Sequence, residues 1–155
     1  MGQSRAGTLA TYLTEYDLNN TNVSLFDFGL PAVIFATRAV LVSDDTVRCI
    51  QTVIPTALKL QLPVHSPFAT LQEHQLAQFI LNDPRYNGKN VLICWHHTRI
   101  ATLINELGYL ASSSIYPYPN RYDWVWQLTF PAPVPAQVVN PIYQQLLYDD
   151  ETTPP

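Results

Sequence analysis

The chain has 155 residues, of which 47% are apolar, so it is long enough for one domain with a substantial core. Only 13% of the residues are charged, the net charge is −4 and the eight basic residues are scattered, which argues against a nucleic-acid-binding surface. The sequence has no apolar run of membrane-spanning length and no apolar leader, and its two cysteines are too few to staple a fold of this size. We therefore expect a cytoplasmic protein with reduced cysteines that binds neither nucleic acid nor a membrane.

The first half of the chain predicts a helix, a strand and a second helix. Apolar residues at helical spacing from Leu9 to Tyr16 predict a short amphipathic helix. The apolar run 31–36 predicts a buried strand. Capping side chains at 43–45 then precede an apolar stripe that predicts a helix containing Pro55. The stripe consists of Val47, Ile50, Ile54 and Leu58.

The second half continues the alternation of strands and helices. Residues 62–64 predict a brief edge strand, and a third helix around Leu76 is expected to close at 82–84. The strongest signal is the apolar run 91–95, which predicts a buried parallel strand that we expect to be central in the sheet. A helix follows it directly, with Gly108 placed to stop that helix.

The end of the chain predicts a last strand and an extended tail. Residues 122–130 favour the strand, and the many prolines between 131 and 155 favour an extended, partly disordered segment. We predict one domain over 1–148 and a disordered acidic and proline-containing tail over 149–155. The fold class predicted by this order is an α/β three-layer sandwich with a mostly parallel sheet.

Two junctions between a strand and a helix carry candidate binding residues. Ligands of open α/β sheets bind beyond the carboxyl ends of the strands. One such junction, 43–48, includes Arg48, and the other carries His96 and His97. Arginine clamps phosphate oxygens with a charged fork, and histidine donates to such oxygens or moves protons near neutral pH. Together these residues predict a phosphate pocket.

Other readings of the same residues are open. Arg48 alone is typical of a solvated helix residue paired with a neighbouring aspartate. His65 and His74 are expected to be ordinary surface or core residues. Trp95 suits the core or a pocket wall, and Cys94 is disfavoured as a nucleophile because it lies inside the apolar strand run.

We predict no metal and no cofactor. A metal site from His74, His96 and His97 with a carboxylate is disfavoured because neighbouring residues of a strand point to opposite faces. The sequence has no glycine-rich phosphate loop, since it contains only five glycines.

The run from Val91 to Ile100, followed by Leu103 to Gly108, resembles the second histidine motif of the histidine phosphatase superfamily, in its phosphoglycerate-mutase-like branch. In particular it is similar to a subgroup whose strand ends in Trp, then Glu or His, then the pocket histidine. Arg48 to Thr52, followed by Pro55, resembles the Arg-x-x-Gln-Thr helix of that family. The segments 2–10 and 121–126 are similar to its first helix and to the strand after the second histidine motif, so the resemblance covers roughly residues 2 to 148.

The resemblance implies roles for four residues. Arg48 would clamp phosphate, and His97 would bind phosphate and stabilise the transferring phosphoryl group. His96 is the rival for that second role, because alignment to the general family motif shifts the match by one residue. Glu73 lies in the region from which some members of the family supply a proton donor.

The chain also departs from the family pattern. Members begin with a strand that ends in Arg-His-Gly and supplies the nucleophile, and this sequence contains no Arg-His-Gly. We therefore expect the phosphoglycerate-mutase-like fold with its first strand missing, incomplete at the N-terminus through truncation or degeneration, and with neighbouring strand edges unpaired. The implied function is that of a phosphomonoester hydrolase, weak or inactive in this chain, acting on a phosphorylated small molecule or phosphate anion. The alternative is a non-catalytic module that binds phosphate or a protein.

Overall fold

The computed structural model describes residues 2–14, 29–40, 44–109, 124–130 and 142–143. These residues form four α-helices and five strands, in the order α1 (Gly2–Thr14), β1 (Val33–Ala36), α2 (Asp44–Leu60), β2 (Val64–His65), α3 (Glu73–Asn82), β3 (Val91–Cys94), α4 (Ile100–Glu106), β4 (Trp124–Val125) and β5 (Ile142–Tyr143). Short 3-10 turns occupy Pro84–Tyr86 and His97–Arg99. The alternation of strands and helices predicted for residues 31–107 is confirmed.

Strand β1 lies between β2 and β3 in a parallel three-stranded sheet. In the register, Ile34 is opposite Val64 on one side and Leu92 on the other. Strand 91–95 was expected to be central, but in the part of the sheet that the structure describes β3 lies at an edge, so this prediction was wrong there. Burial explains the difference, since the last three residues of β1 are at most 1% exposed whereas all of β3 is only partly buried. None of the described residues pairs with the outer edge of β3.

Helices cover both faces of this sheet. On one face, α2 packs on β1 through a core made of Ile34, Ala36, Cys49, Val53 and Ala57. On the other face, α3 and α4 pack on the sheet through a core made of Phe35, Leu76, Ala77, Trp95, Leu103 and Leu107. The predicted helix–sheet–helix layering is therefore present around the three parallel strands.

The path of the chain explains why the helices divide between the two faces. From β1 the chain crosses to β2 on one side, and from β2 it returns past β1 to β3 on the other side. Parallel crossover connections are right-handed, so two crossovers that run in opposite directions across a sheet place their helices on opposite faces. Helix α2 and helix α3 follow this rule.

Helix α2 turns a different side to the core than its apolar stripe predicted. The helix runs through Pro55 without ending. However, Val47, Ile54 and Leu58 of the stripe are 37%, 41% and 74% exposed. The buried side is instead made of smaller residues, namely Cys49, Val53, Thr56 and Ala57. Small side chains let the helix lie close to the sheet, which large ones at the same positions would prevent.

Helix α1 packs along α2. The predicted helix over 9–16 is present over 9–14 and extends back to Gly2, and residues 15–16 lie outside the described residues. Its buried side alternates small and large residues, namely Ala6, Leu9, Ala10 and Leu13. The Lys59 ammonium donates to the Thr11 hydroxyl at 3.2 Å and links the ends of the two helices.

Helix α4 ends at the predicted glycine. Gly108 has a φ of +89°, and its N–H donates to the carbonyl of Asn105 at 2.9 Å. The next N–H, of Tyr109, donates to the carbonyl of Ile104 at 3.2 Å. This pair of bonds is a Schellman motif, which needs a left-handed residue at the glycine position.

The predicted last strand, 122–130, is much shorter in the structure. Within the described residues 124–130, the paired strand is Trp124–Val125, which runs antiparallel to Ile142–Tyr143. Residues 126–130 are irregular and pack on the α3 and α4 side, where Thr129 exchanges hydrogen bonds with the hydroxyl of Tyr109. The segment 131–155 thus contains a short strand where an extended tail was expected, and the predicted tail at 149–155 lies outside the described residues.

In the part of the chain that the structure describes, no helix is both long enough and apolar enough to cross a membrane.

We predict that Gly108→Ala lowers the free energy of unfolding by about 1 kcal/mol, because an alanine side chain is strained at a left-handed φ. The measurement is urea denaturation followed by circular dichroism. Gly7→Ala is the matched control, since Gly7 is exposed inside α1 and an added Cβ would meet nothing within 4 Å. That substitution should raise stability, because alanine favours helices over glycine. Equal effects of the two substitutions would contradict the Schellman assignment.

Candidate functional site

The chain path makes the carboxyl ends of β1 and β3 a topological switch point, where a ligand crevice is expected. These strands are neighbours, and the helices that follow them, α2 and α4, pack on opposite faces of the sheet. A ligand crevice forms at such a point because the two connections diverge from adjacent strand ends. Residues 37–38 leave β1 and residues 95–97 leave β3 at this switch point.

Backbone hydrogen bonds fix the exit of β1. The Thr37 N–H donates to the carbonyl of Cys94 at 3.1 Å, which continues the ladder between β1 and β3 by one residue. The Arg38 N–H donates to the carbonyl of Phe68 at 2.7 Å. Arg38 is exposed, so a second arginine stands at the carboxyl end of the middle strand.

A contact between two thiols places α2 against the end of β3. The Cys94 thiol is hydrogen-bonded to the Cys49 thiol and to Thr52 of α2. Arg48 precedes Cys49 and is exposed, and His96 lies two residues beyond Cys94 and is partly exposed. The two junctions singled out from the sequence thus lie at the same edge of the sheet. The binding role of Arg48 stays a prediction.

The cysteines are reduced thiols, as expected, with Cys49 buried and Cys94 partly buried. The hydrogen bond with Cys49, together with burial, raises the pKa of the Cys94 thiol well above its usual range. Cys94 is therefore protonated at neutral pH, and a protonated thiol is a poor nucleophile.

The two histidines lie side by side after β3. Their rings stack with centroids 4.7 Å apart and planes 25° from parallel. The Nδ1 atom of His96 lies 2.8 Å from the Thr98 hydroxyl oxygen, so a ligand would meet Nε2 of this ring. His97 begins the 3-10 turn that leads into α4, and it is partly exposed.

The stacked rings also bear on the metal question. Opposite orientation was expected for neighbours on a strand, but β3 ends at Cys94, so His96 and His97 do not follow the strand alternation. Even so, within the ranges that the structure describes, no group of three or more His, Cys, Asp or Glu side chains could hold a metal ion.

Glu73 forms a buried ion pair with Arg99, which follows the histidine pair in the chain. It is the first residue of α3 and is 2% exposed. Its Oε1 atom accepts from the Trp95 indole N–H at 3.0 Å and from the Leu71 backbone N–H at 3.1 Å. The Arg99 guanidinium donates from Nε to Oε1 at 3.2 Å and from Nη2 to Oε2 at 3.0 Å. Glu73 thus contacts both the residue before the histidine pair and a residue after it.

These contacts determine the charge of Glu73. Burial raises the pKa of the carboxyl group, but hydrogen bonds from Arg99, from Trp95 and from the backbone outweigh it and lower the pKa to about 2. The group is therefore ionised at neutral pH. A proton donor has to carry a proton at the working pH, so this state suits an ion pair; the donor role implied by the resemblance stays a prediction.

The other two histidines have different neighbours. The His74 Nδ1 atom lies 2.7 Å from the Glu106 carboxylate in an exposed pair between α3 and α4. The His65 ring lies 5.6 Å from the Phe35 ring. His65 also lines a cavity of about 350 Å³, most of whose lining residues precede or begin β1 and β3. The lining residues are Ala32, Val33, His65, Arg85, Tyr86 and Lys89.

Sequence reasoning missed Arg38 and the partners of Glu73. Arg38 follows the buried run 33–36, so the rule of strand ends that pointed to His96 could have found it. The pairing of Glu73 with Arg99 had no such signal, because the two residues are 26 positions apart in the chain.

Comparison of the chain with known protein families, with curated proteins and with solved structures found no match. The resemblance to histidine phosphatases therefore depends on the sequence motifs alone, and the function that it implies is a proposal.

We predict that acid weakens the fold through Glu73. A carboxyl group with an ordinary pKa of 4.5 that falls to about 2 on folding stabilises the protein fully above its unfolded pKa. This contribution, roughly 3 kcal/mol, is lost as the pH falls from the unfolded toward the folded value. Urea denaturation at about pH 6 and about pH 3 should show a loss of about 2 kcal/mol of it, because at pH 3 the folded carboxyl group is still mostly ionised.

Glu73→Gln should lose most of this acid dependence, because glutamine does not titrate. Glu106→Gln is the matched control, since it removes only the exposed pair with His74 and should keep the acid dependence of the parent chain. The assignment is wrong if Glu73→Gln loses stability with acid as steeply as the control does.

Proposed function

We propose that the crevice at the carboxyl ends of β1 and β3 binds the phosphate group of a phosphorylated small molecule, and that the chain is a histidine-phosphatase-like domain. The observation that carries this proposal is the contact of Cys49 with Cys94, which brings the helix turn bearing Arg48 to the strand end bearing the histidine pair. This supports the proposal, because candidate anion-binding groups from two separate elements are carried to the same end of the sheet.

The chemistry of the groups supports an anion. The guanidinium of Arg48 offers a charged fork for two oxygens, and an imidazole of the histidine pair offers a further donor. The N-terminus of α2, which begins at Asp44, contributes a positive dipole end and backbone N–H groups. Arg38 adds a second cation at the end of β1.

The proposed reaction is hydrolysis of a phosphomonoester, and it depends on the resemblance. In that reading His97, or His96 in its place, stabilises the phosphoryl group as it transfers, while Arg48 holds its oxygens. The sequence contains no Arg-His-Gly segment, whose histidine is the nucleophile in the histidine phosphatases. We therefore expect the 155-residue chain to bind phosphate while turning over weakly or not at all.

A non-catalytic binding module is the second candidate. Two observations favour it, namely the ionised carboxylate of Glu73 and the protonated thiol of Cys94. Neither group is in the state that a proton donor or a nucleophile requires at neutral pH. Release of product from an aryl phosphate by the intact chain would exclude the non-catalytic module.

The proposal predicts saturable binding of phosphate and of vanadate to the intact chain. A hydrogen bond to a charged group contributes about 1.5–3 kcal/mol, so Arg48→Ala and His97→Ala should each weaken binding by about tenfold or more. His96→Ala decides which histidine binds phosphate. If this substitution alone weakens phosphate binding, the pocket histidine is His96 and not His97. Isothermal titration calorimetry measures all four proteins.

Arg85→Ala and His74→Ala are matched controls, since they remove the same residue types from surface contacts with Asp83 and Glu106. Both should leave the affinity unchanged. Absence of saturable binding at millimolar ligand, or equal losses in the controls, would refute the proposed pocket.

Arg38 provides a separate prediction. If the crevice extends to the end of β1, Arg38→Ala should weaken phosphate binding by about tenfold, and Arg38→Lys should recover part of the loss because it restores charge without the fork. The same calorimetric titration measures both variants. An unchanged affinity in Arg38→Ala would limit the pocket to β3 and α2.

A further inference from the structure

We propose that Glu73 is a positioning residue for the His96–His97 turn. Its carboxylate accepts hydrogen bonds from residues on both sides of this turn and so holds the turn in its binding geometry. This inference rests on the proposed function, since it concerns how the same crevice is shaped. It assigns Glu73 a role that needs neither contact with the ligand nor transfer of a proton.

The arrangement of contacts carries the inference. Trp95 immediately precedes the histidine pair and Arg99 follows it after one intervening residue. Both donate to the one carboxylate of Glu73, at 3.0 Å from the indole and at 3.2 and 3.0 Å from the guanidinium. A single side chain from α3 therefore fixes the two ends of the segment that carries the histidines.

The turn between these ends is short and internally bonded. The Arg99 N–H donates to the carbonyl of His96 at 2.9 Å, and the N–H of Ile100 donates to the carbonyl of His97. The Thr98 hydroxyl contacts Nδ1 of His96 at 2.8 Å. Because the turn is this tight, movement of either anchored end would move the imidazoles with it.

Burial makes the hydrogen bonds of Glu73 rigid and specific for a carboxylate. Glu73 and Trp95 are 2% and 5% exposed, so neither can exchange its partner for bulk water without opening the core. The carboxylate accepts from three side-chain donors as well as from the Leu71 N–H. A glutamine has one acceptor oxygen, and its amide N–H₂ would face donors of Arg99, so the turn has to rearrange when Glu73 becomes Gln.

The experiment compares Glu73→Gln with Trp95→Phe and with the control Glu106→Gln. Trp95→Phe keeps an aromatic ring in the core and removes the indole donor with part of the ring volume, so it tests the hydrogen bond without leaving a buried charge unpaired. Glu106→Gln removes an exposed carboxylate that contacts His74 instead. Phosphate affinity, the NMR signals of the His96 and His97 rings, and the thermal midpoint are measured for each protein.

A positioning role predicts that Glu73→Gln and Trp95→Phe shift the ring signals of both histidines and weaken phosphate binding by about tenfold, measured well below the thermal midpoint. The control should change neither quantity. A purely structural role would lower the midpoint of Glu73→Gln while the folded protein kept its ring signals and its phosphate affinity, and that result would overturn the inference.

The two proposals fail in different ways. If the parent chain binds no phosphate, the proposed function is wrong, and the histidine ring signals still report whether Glu73 controls the turn. If the parent chain binds phosphate and folded Glu73→Gln and Trp95→Phe bind it equally well, the proposed function stands and the positioning role is wrong.

Discussion

The buried carboxylate of Glu73 is the constraint on which the arrangement around the candidate site depends. An ionised group at 2% exposure is costly unless charge and hydrogen bonds surround it. Here the compensating donors come from Trp95 after β3 and from Arg99 before α4. Satisfying one carboxylate therefore sets where α3, the end of β3 and the start of α4 lie relative to each other.

The same ion pair connects the core of the fold with the candidate site. The core around Trp95 contains Phe35 of the middle strand, so the anchored end of β3 is continuous with the packing of the sheet. On the opposite face, the contact between Cys49 and Cys94 ties α2 to the same strand end. The histidine pair thus leaves a strand end that is held from both faces.

Local signals in the sequence predicted most of the elements. Gly108 ends α4 because the Schellman motif needs a left-handed residue, and that preference is visible in a single residue type. The strand at 91–94 and the carboxyl-end location of His96 followed from an apolar run and a topological rule.

Long-range packing decided the features that could not be predicted. Strand β1 became the middle strand because β2 and β3 pair with its two sides, which its four residues do not reveal. Helix α2 buries small residues such as Val53 and exposes Leu58. Small side chains allow the helix to pack close to the sheet, and this requirement is not visible in the spacing of the apolar residues. The ion pair of Glu73 with Arg99 joins residues that no spacing pattern in the sequence connects.

The central claim is that phosphate binds where β1 and β3 end, and backbone amide NMR during a phosphate titration tests it most directly. The account predicts saturable shifts confined to the amides around Arg38, Arg48 and 95–100, with the rest of the spectrum unchanged. Saturable shifts centred on the cavity lined by Arg85 and Lys89, or no saturable shifts at millimolar phosphate, would contradict it.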